Sequence, residues 1–359
     1  MTPPVIHVAS GREWRGGQRQ VWLLAQQLSR LGVEQVVVTG SATELARRLQ
    51  SSGIPIRTAT WKAGVDPRVV PAILSELRRR PAVLHAHDAH ALTLAGICSW
   101  LGRSPLVVTR RVDFPLTRSG FWTRADRVIA ISHAVADVLV QSGVSRERIS
   151  VIHSGISLEE TRRAIPLGVR DLLGLAPGAR VAANVGALVP HKDHATLVNA
   201  ASRLARPHAD LHWVIAGEGE LRPALETQIR QLGLEGRVHF MGHVVSPERL
   251  IADADVFVMS SRQEGLGTSV LEAMALGIPV ASTTAGGLPE MLGADSGLLV
   301  PPSDPGALAK AVASILETAE VGASLAEKAR TSVLRFSDLR MAEEVRSVYR
   351  SCAHSLDGS

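Results

Sequence analysis

The sequence has 359 residues, of which 45% are hydrophobic and 20% are charged. This length predicts two domains, because it exceeds what one hydrophobic core usually supports, and the composition excludes a disordered chain. No apolar stretch reaches the length that spans a bilayer, and the start lacks the pattern of a signal peptide, which excludes an integral membrane protein.

The net charge of +5 is unevenly distributed. Residues 1–165 contain 22 basic and 12 acidic residues, whereas the remainder is net acidic. A basic first half indicates either an anionic partner or a solvated arginine-rich surface. The two cysteines, Cys98 and Cys352, form no disulfide or metal-binding pattern, so we expect a cytoplasmic location.

Short apolar runs alternate with helical patterns along the first half. The predicted strands are Val5–Ala9, Val36–Thr39, Val83–Ala86, Leu106–Thr109, Val128–Ile131 and Ser150–Ile152. Apolar residues recur at helical spacing over Gln20–Leu31, which ends at Gly32. This βαβ series predicts a parallel sheet with helices on both faces, in a domain of residues 1–165.

A second series follows a polar interval. Its predicted strands are Val181–Val185, His212–Ala216, Val238–Met241, Val256–Met259, Val280–Ser282 and Gly297–Val300. The helical patterns between them, such as Lys192–Ala205 and Leu221–Leu232, predict another doubly wound lobe over residues 166–337. Residues 338–359 follow the complete second lobe and include a helix, Asp338–Ser351, that we expect to pack on the first.

Ligands of open α/β sheets bind beyond the carboxyl ends of the strands, so two such lobes predict a site in a cleft between them. After Val256–Met259 the chain continues as RQEGLGTSVLEAMALG over residues 262–277. Glu264 lies in the loop, and Glu272 lies about one turn into a helix that starts near Thr268. A ligand with vicinal hydroxyls would satisfy both carboxylates; alternatively, Glu272 pairs with an arginine or with backbone N–H groups.

Glu264 and Glu272 with their seven intervening residues resemble the E-x7-E signature of the retaining glycosyltransferases of family 4. Further similar motifs occur in the same order, namely RGGQRQVWLLAQQLSRLG, HAHD, VIHSGI, VGALVPHKD, VIAGEGELRPALE and ADADVFVMSSRQEGLG. The resemblance covers nearly the whole chain. It implies the α/β GT-B fold, in which two Rossmann-like lobes face each other across a cleft.

The resemblance also implies roles for individual residues. Glu264 would contact the transferred sugar, Glu272 would hold the ribose, and Lys192 would neutralise the diphosphate. Gly265, Leu266, Gly267 and Thr268 would present backbone amides to the sugar and the diphosphate. Many family members carry an arginine five residues before the lysine, where this sequence has Ala187; either Lys192 works with backbone amides alone, or a residue such as Arg262 substitutes.

In the first half, Gly16 and Gly17 match the family's glycine pair, which approaches donor phosphates and the acceptor; the alternative is a plain tight turn. His87 follows a strand and matches a histidine that lies close to the reacting sugar. Its neighbours His85 and His90 are expected to point into the sheet and the following helix. Catalytic roles are thereby implied for His87, Lys192 and Glu264.

Two other motifs have simpler explanations. The GEG at residues 217–219 lacks the third glycine of a dinucleotide-binding loop and is interpreted as a turn. Asp253 and Asp255 form a D-x-D, but their position between a helix and an apolar strand favours capping. We therefore expect no metal and no cofactor.

The stretch of residues 109–127 combines arginines with aromatic residues directly after a strand. This pattern suits an anionic membrane surface or a phosphorylated lipid acceptor, or else a loop whose aromatics pack inside. The residues assigned to an acceptor or membrane face are Arg12, Arg15, Arg110, Arg111, Phe121 and Trp122. The sequence contains no recognised nucleic-acid-binding module.

These features predict a glycosyltransferase that moves a sugar from a UDP- or GDP-sugar, with retention, to a lipid-linked or cell-envelope glycan. Residues His239 to Val244 are placed beside the base, and Val244 is assigned to donor binding. A nucleotide-sugar epimerase or hydrolase of the same fold, and a membrane-surface binding protein, are the alternatives. The enzyme is expected to be cytoplasmic, with peripheral contact to the inner face of the cell membrane.

Overall fold

The computed structural model describes residues 2–62, 64–116 and 120–353, and these residues form two compact units. The first unit contains residues 1–155 and 336–359, and the second contains residues 156–335. The division therefore falls earlier than residue 165, between Gly155 and Ile156.

The first unit is built on a seven-stranded parallel sheet. Its strands are β1 (Val5–Ala9), β2 (Gln35–Gly40), β3 (Ile56–Ala59), β4 (Val83–Ala86), β5 (Leu106–Arg110), β6 (Arg127–Ala130) and β7 (Ile149–Val151). Its helices are α1 (Gly16–Arg30), α2 (Glu44–Ser51), α3 (Val70–Arg79), α4 (Ala89–Gly102), α5 (His133–Gln141) and, from the end of the chain, α15 (Asp338–Ser351). The strand order is β3-β2-β1-β4-β5-β6-β7.

The second unit has a six-stranded parallel sheet. Its strands are β8 (Arg180–Val185), β9 (Leu211–Ala216), β10 (Val238–Gly242), β11 (Val256–Met259), β12 (Val280–Thr283) and β13 (Leu298–Val300). Its helices are α6 (Leu158–Arg162), α7 (Val169–Leu172), α8 (His194–Leu204), α9 (Arg222–Gln231), α10 (Pro247–Ile251), α11 (Thr268–Leu276), α12 (Leu288–Leu292), α13 (Pro305–Glu317) and α14 (Ala319–Ser332). The strand order is β10-β9-β8-β11-β12-β13.

Both strand orders are those of the doubly wound Rossmann type, so the predicted α/β class of two Rossmann-like lobes is confirmed. The central strands are covered on both faces, which explains why they are apolar runs without alternation. β1 is fully buried along all five residues, although its middle residue is His7.

Helix α15 packs on the first unit. Its apolar residues share one buried cluster with β1, α1 and the central strands, and that cluster includes Met341, Val345, Tyr349, Val5, Leu24 and Val107. The Ser337 hydroxyl caps the helix by accepting from the Arg340 N–H at 3.2 Å. Gly155 passes so close to Asp338 that a Cβ on it would lie 2.6 Å from backbone atoms. A glycine is therefore required where the chain leaves the first unit.

Two sequence predictions about elements need correction. Helix α1 begins at Gly16 and not at Gln20, so the two glycines form its first turn and not a loop before it. Strand β3 was absent from the prediction, because this short edge strand has an exposed arginine and threonine in its middle.

Candidate active site

Each sheet has one point where the strand order reverses, and the loops at the carboxyl ends of the strands flanking it leave room for a ligand. We call the region after β1 and β4 the first switch point and the region after β8 and β11 the second switch point. The first contains Gly16, Gly17 and His87, and the second contains Lys192, Glu264, Gly265, Leu266, Gly267 and Thr268.

At the second switch point, the loop after β11 leads directly into α11. Gly267 is the N-cap of α11 and has a φ of 95°, a conformation that favours glycine. The helix has no side-chain cap and no acidic residue in its first turn. Neither Thr268 nor Ser269 caps it with a side chain, so the N–H groups of the first turn and the helix dipole favour an anion.

Lys192 and Glu264 meet at this helix end and form an ion pair. Lys192 lies in a short turn after β8, and the Ser260 hydroxyl donates to its backbone carbonyl at 2.9 Å. The Glu264 carboxylate also accepts from the Ser261 hydroxyl at 3.1 Å. Both charged side chains are mostly buried, with exposed fractions of 17% and 11%. The structure thus brings together two residues that are 72 positions apart in sequence.

Glu272 lies within α11, between residues of the apolar core. Its exposed fraction is 1%, and that of Leu266 in the preceding loop is also 1%. A carboxylate buried to this extent is costly unless its charge is compensated. Glu272 has an electrostatic or hydrogen-bonding interaction within the protein.

Arg262, the candidate substitute for the arginine missing at Ala187, is engaged by the turn of residues 190–193. Arg262 donates to the Pro190 carbonyl at 2.9 Å and lies 3.6 Å from the Asp193 carboxylate. It therefore braces the turn that carries Lys192, while its own guanidinium is engaged by that turn. Lys192 is the cation that pairs with Glu264 at this helix end.

The remaining predicted features of the second unit have structural explanations. Asp253 accepts hydrogen bonds from the N–H groups of Gly168 and Val169, and Asp255 accepts from Arg170 and the Val181 N–H. The GEG is a loop after β9 that passes close to the end of β8, since a Cβ on Gly217 would lie 1.9 Å from the Gly186 carbonyl oxygen. Val244 is half-buried after β10, at the edge of the sheet and two strands from β8.

At the first switch point, Gly16 and Gly17 form the start of α1, which has no side-chain cap and no acid in its first turn. A Cβ on Gly16 would meet nothing within 4 Å, and one on Gly17 would lie 4.0 Å from Arg111 Cδ. Neither glycine has a positive φ. The fold itself therefore does not require glycine at these two positions.

His87 belongs to a buried group of rings with His7 and His85. Its Nε2 lies 2.9 Å from His7 Nδ1, and its Nδ1 lies 3.2 Å from an Arg111 guanidinium nitrogen. His85 is bonded to the Tyr349 hydroxyl at 2.6 Å and to Thr109 Oγ1 at 2.7 Å. Burial lowers the pKa of His7 to about 4 and the pKa of His85 and His87 well below the ordinary value.

The three rings approach closely enough to bind a metal ion, since ligand atoms of all three lie within 4.8 Å of one another. However, both nitrogens of His85 and of His87 are engaged by other groups, and the Arg111 cation adjoins His87. A bound cation would break these bonds and be repelled by the guanidinium. The cluster thus fits a neutral hydrogen-bonded network better than a metal centre.

The predicted acceptor or membrane face is divided in the structure, and part of that prediction is wrong. Trp122 is only 6% exposed, and Arg110 lies over its ring and donates to the carbonyls of Val112 and Phe114. Phe121 covers Gly96 of α4, and Arg111 points toward His87. Arg12 and Arg15 are exposed. Residues 117–119 of the same stretch lie outside the described residues.

Comparison with protein families identifies the chain. Residues 14–160 match the model described as Glycosyltransferase Family 4, and residues 170–332 match the model described as Glycosyl transferases group 1. The chain belongs to the family 4 glycosyltransferases. The glycosyltransferase is similar to the lipopolysaccharide core biosynthesis glycosyltransferase LpsE of Rhizobium meliloti, with 29% identity over 92% of this chain and 94% of LpsE.

This glycosyltransferase is also similar to the putative glycosyltransferase EpsD of Bacillus subtilis, with 28% identity over 78% of this chain and 74% of EpsD. Among solved structures, HepE of Anabaena in complex with UDP matches 97% of this chain and 100% of its own, with a TM-score of 0.84 and 22% identity. These neighbours confirm the GT-B fold.

Sequence reasoning missed two residues of the glycosyltransferase's first switch point. His7 is in register with His85 across β1 and β4, and His87 follows two residues later on the same strand face. A histidine inside the otherwise apolar run VIHVA was the available signal. Arg111 was assigned to the surface, whereas its side chain contacts His87.

Proposed function

We propose that this glycosyltransferase takes a sugar from a nucleoside diphosphate sugar and transfers it with retention of the anomeric configuration. The observation that carries the proposal is the Lys192–Glu264 pair at the uncapped N-terminus of α11. A lysine, free helix N–H groups and a glycine-containing loop together suit a diphosphate. Glu264 beside them offers a carboxylate to sugar hydroxyls, and buried Glu272 offers one to the ribose.

We assign donor binding to the second unit and the acceptor side to the first. Lys192, Glu264, the amides of residues 265–268, Glu272 and Val244 would bind the nucleotide sugar. Gly16, Gly17 and His87 would be the contribution of the first unit. The uncapped start of α1 supports this, because its glycines leave the backbone accessible without being required by the fold.

In the proposed reaction, the bond between the anomeric carbon and the diphosphate oxygen breaks, and a bond to the acceptor hydroxyl oxygen forms on the same face of the sugar. The acceptor proton passes to the departing diphosphate. Lys192 and the amides at the start of α11 stabilise the charge that collects on the diphosphate. Glu264 orients the sugar, and neutral His87, whose ring nitrogens are both engaged by His7 and Arg111, lies beside the sugar without exchanging a proton.

UDP is our preferred nucleotide, because HepE binds UDP in its crystal structure and the two chains share the fold. For the acceptor, the names of LpsE and EpsD support a glycan of the cell envelope, either lipid-linked or free. The buried free thiols of Cys98 and Cys352 support a cytoplasmic location.

Peripheral contact with the membrane is also part of the proposal. We assign this contact to the surface of α4 and not to the arginine-rich stretch of residues 109–127. This helix contains no Asp, Glu, Lys or Arg, and it exposes Trp100 at 79% and Leu101 at 54%. Arg103 follows the helix, and Arg124 lies beside Phe121, which covers Gly96. An exposed tryptophan near cations suits the interface of an anionic bilayer. No described helix combines the length and the hydrophobicity needed to cross one.

The donor assignment is tested by thermal shift with UDP, GDP and ADP. We expect UDP to raise the melting temperature of the wild type, because a ligand of the folded state stabilises it. Glu272→Ala should abolish this shift, whereas Glu226→Ala on α9 of the same unit should preserve it. An equal response of wild type and Glu272→Ala to UDP would contradict the donor site.

The reaction is tested with UDP-glucose in the presence and absence of an envelope lipid extract. Acceptor-dependent release of UDP, with the product linkage determined by NMR, should show the configuration retained. Release or isomerisation that needs no acceptor would instead establish a hydrolase or an epimerase.

The membrane surface is tested by sedimentation with phosphatidylglycerol vesicles. Trp100→Ser should reduce sedimentation, whereas Leu172→Ser in the second unit should not. Equal sedimentation of both variants and the wild type would exclude α4 as the membrane surface.

A further inference from the structure

Arg111 follows β5 and reaches His87, which follows the neighbouring strand β4. Its guanidinium donates to the His87 backbone carbonyl at 2.7 Å and to the ring Nδ1 at 3.2 Å. On the other side of the ring, His87 Nε2 lies 2.9 Å from His7 Nδ1. Both polar ends of the imidazole, and the backbone behind it, are therefore held within the first unit.

These contacts determine where the protons lie. A guanidinium has only donors, so His87 Nδ1 must accept and the proton of the neutral ring must be on Nε2. That N–H then donates to His7 Nδ1, which places the proton of His7 on its own Nε2. Arg111 thereby sets the tautomers of both His87 and His7, which are hydrogen-bonded to each other.

The electrostatics agree with this arrangement. Burial lowers the pKa of His87 well below its ordinary value, and His85, Arg111 and His7 lower it further. Burial also lowers the pKa of Arg111 to about 10, so the guanidinium is still charged at neutral pH. The nearby Asp88 is engaged elsewhere, because its carboxylate caps α4 and accepts from Ser10. The Arg111 charge thus adjoins a ring that stays neutral.

We infer that Arg111 is a positioning residue that fixes His87 as the neutral, Nε2-protonated imidazole and holds its backbone carbonyl in place. The inference rests on the proposed role of His87 in sugar transfer. It differs from the sequence prediction, which assigned Arg111 to an acceptor or membrane face. Because the Nε2–H of His87 is turned to His7, the ring is held in one orientation and does not serve as a proton donor to the departing diphosphate.

The proton positions are tested by NMR of the full chain labelled with 15N-histidine, with the His87 signals assigned from the spectrum of His87→Asn. In the wild type we expect one protonated and one unprotonated ring nitrogen for His87, unchanged between pH 6 and pH 8. Arg111→Met removes the donor and should mix the tautomers. Arg111→Lys keeps a donor and should preserve the wild-type pattern, as should Arg48→Met, a half-buried arginine on α2 of the same unit.

Turnover provides the second readout. With UDP-glucose as the probe, Arg111→Met should lower kcat about 10- to 100-fold, as expected for loss of a residue that orients a functional histidine, while KM changes less than about threefold. Arg111→Lys should recover part of the loss, and Arg48→Met should resemble the wild type. Should Arg111→Met fail to fold, Arg111→Gln replaces it, since an amide can donate or accept and should also mix the tautomers.

Two results separate this inference from the proposed function. If His87→Asn leaves turnover unchanged, the role of His87 is refuted, but the spectra still decide whether Arg111 sets its tautomer. If Arg111→Met or Arg111→Gln keeps the single Nε2-protonated form and the wild-type kcat, the inference is overturned while the donor site at Lys192 and Glu264 is unaffected.

Discussion

The two switch points use opposite kinds of electrostatics. At the first, His7, His85 and His87 are buried and neutral; His87 is hydrogen-bonded to His7 and Arg111, and His85 is hydrogen-bonded to Tyr349 of α15. At the second, two opposite charges, Lys192 and Glu264, neutralise each other beside an uncapped helix. The first site is thus assembled before any ligand arrives. The second contains charges that a ligand must share or separate.

The largest effect should come from removing the cation of the second switch point. Lys192→Ala should lower turnover of UDP-glucose by about 100- to 1,000-fold, because a preorganised group that stabilises developing charge is lost. Some stability should also be lost, because the variant leaves the mostly buried Glu264 carboxylate without its ion-pair partner, so turnover is compared on protein that circular dichroism shows to be folded. Arg180→Ala, which removes an ion pair with Asp210 in the same unit, is the matched control. Equal turnover of the two variants would remove Lys192 from the mechanism.

The first switch point should respond to acid. Burial lowers the pKa of His7 to about 4, so between pH 6.5 and pH 4 the unfolded chain binds more protons than the folded one. The resulting stability is present above pH 6.5 and is lost as the pH falls. From pH 7 to pH 5 we expect a loss of about 2 kcal/mol in the free energy of unfolding for this histidine alone.

Urea unfolding at several pH values measures this loss. His7→Asn should show a smaller decrease toward pH 5 than the wild type, while the exposed His90→Gln should match the wild type. Burial also lowers the pKa of His194 in the second unit to about 4, so His194→Asn should behave like His7→Asn. Parallel curves for His7→Asn and the wild type would show that His7 is not buried as a neutral ring.

The glycines of the two switch points should differ in a way that separates fold from function. Gly267→Ala forces a residue with a side chain to a φ of 95° and brings its Cβ within 2.9 Å of Leu288, so it should lose about 1–2 kcal/mol of stability. The Cβ added by Gly16→Ala would have no atom within 4 Å, so this variant should change the free energy of unfolding by less than about 0.5 kcal/mol. If the start of α1 contacts a ligand, Gly16→Ala should nevertheless lower turnover. Wild-type turnover would argue against that contact.

The smallest and most specific effect concerns Glu264. Glu264→Gln removes the anion that competes with a diphosphate for Lys192, so UDP should bind about three- to tenfold more tightly. Transfer should decrease, because the sugar loses a charged hydrogen-bond acceptor. Calorimetric titration with UDP tests the expected increase in affinity, and turnover of UDP-glucose tests the expected decrease in transfer. Weaker binding of UDP would mean that Glu264 does not compete for the lysine.

The sequence predicted the central strands well and the polar interior poorly. β1, β4 and β11 are short apolar runs, broken only by His7 in β1 and His85 in β4, and their predicted bounds match the structure. The edge strand β3 was missed because exposure removes the apolar signal. Glu264 and Lys192 were connected only through resemblance, and their ion pair emerged with the structure. Residues 72 positions apart carry no local pattern that indicates contact.

Arg110 and Arg111 show the same limit at finer scale. They are identical neighbours in sequence, yet one lies over buried Trp122 and holds the following loop, and the other contacts His87. Composition identifies a basic, aromatic segment but not which side chain turns inward. The direction of each arginine side chain depends on how far the residue lies from the end of β5. A sequence prediction locates that end only to within a residue or two.

Helix α15 determines the order in which the molecule can be completed during synthesis. The ribosome makes residues 1–155 first, but their core lacks Met341, Val345 and Tyr349 until the last helix has emerged. The second unit is contiguous and can close earlier. The nascent first unit therefore keeps apolar surface, and His85 without its tyrosine partner, exposed through most of translation. A chain interrupted before residue 338 would have a complete second unit attached to an unfinished and aggregation-prone first one.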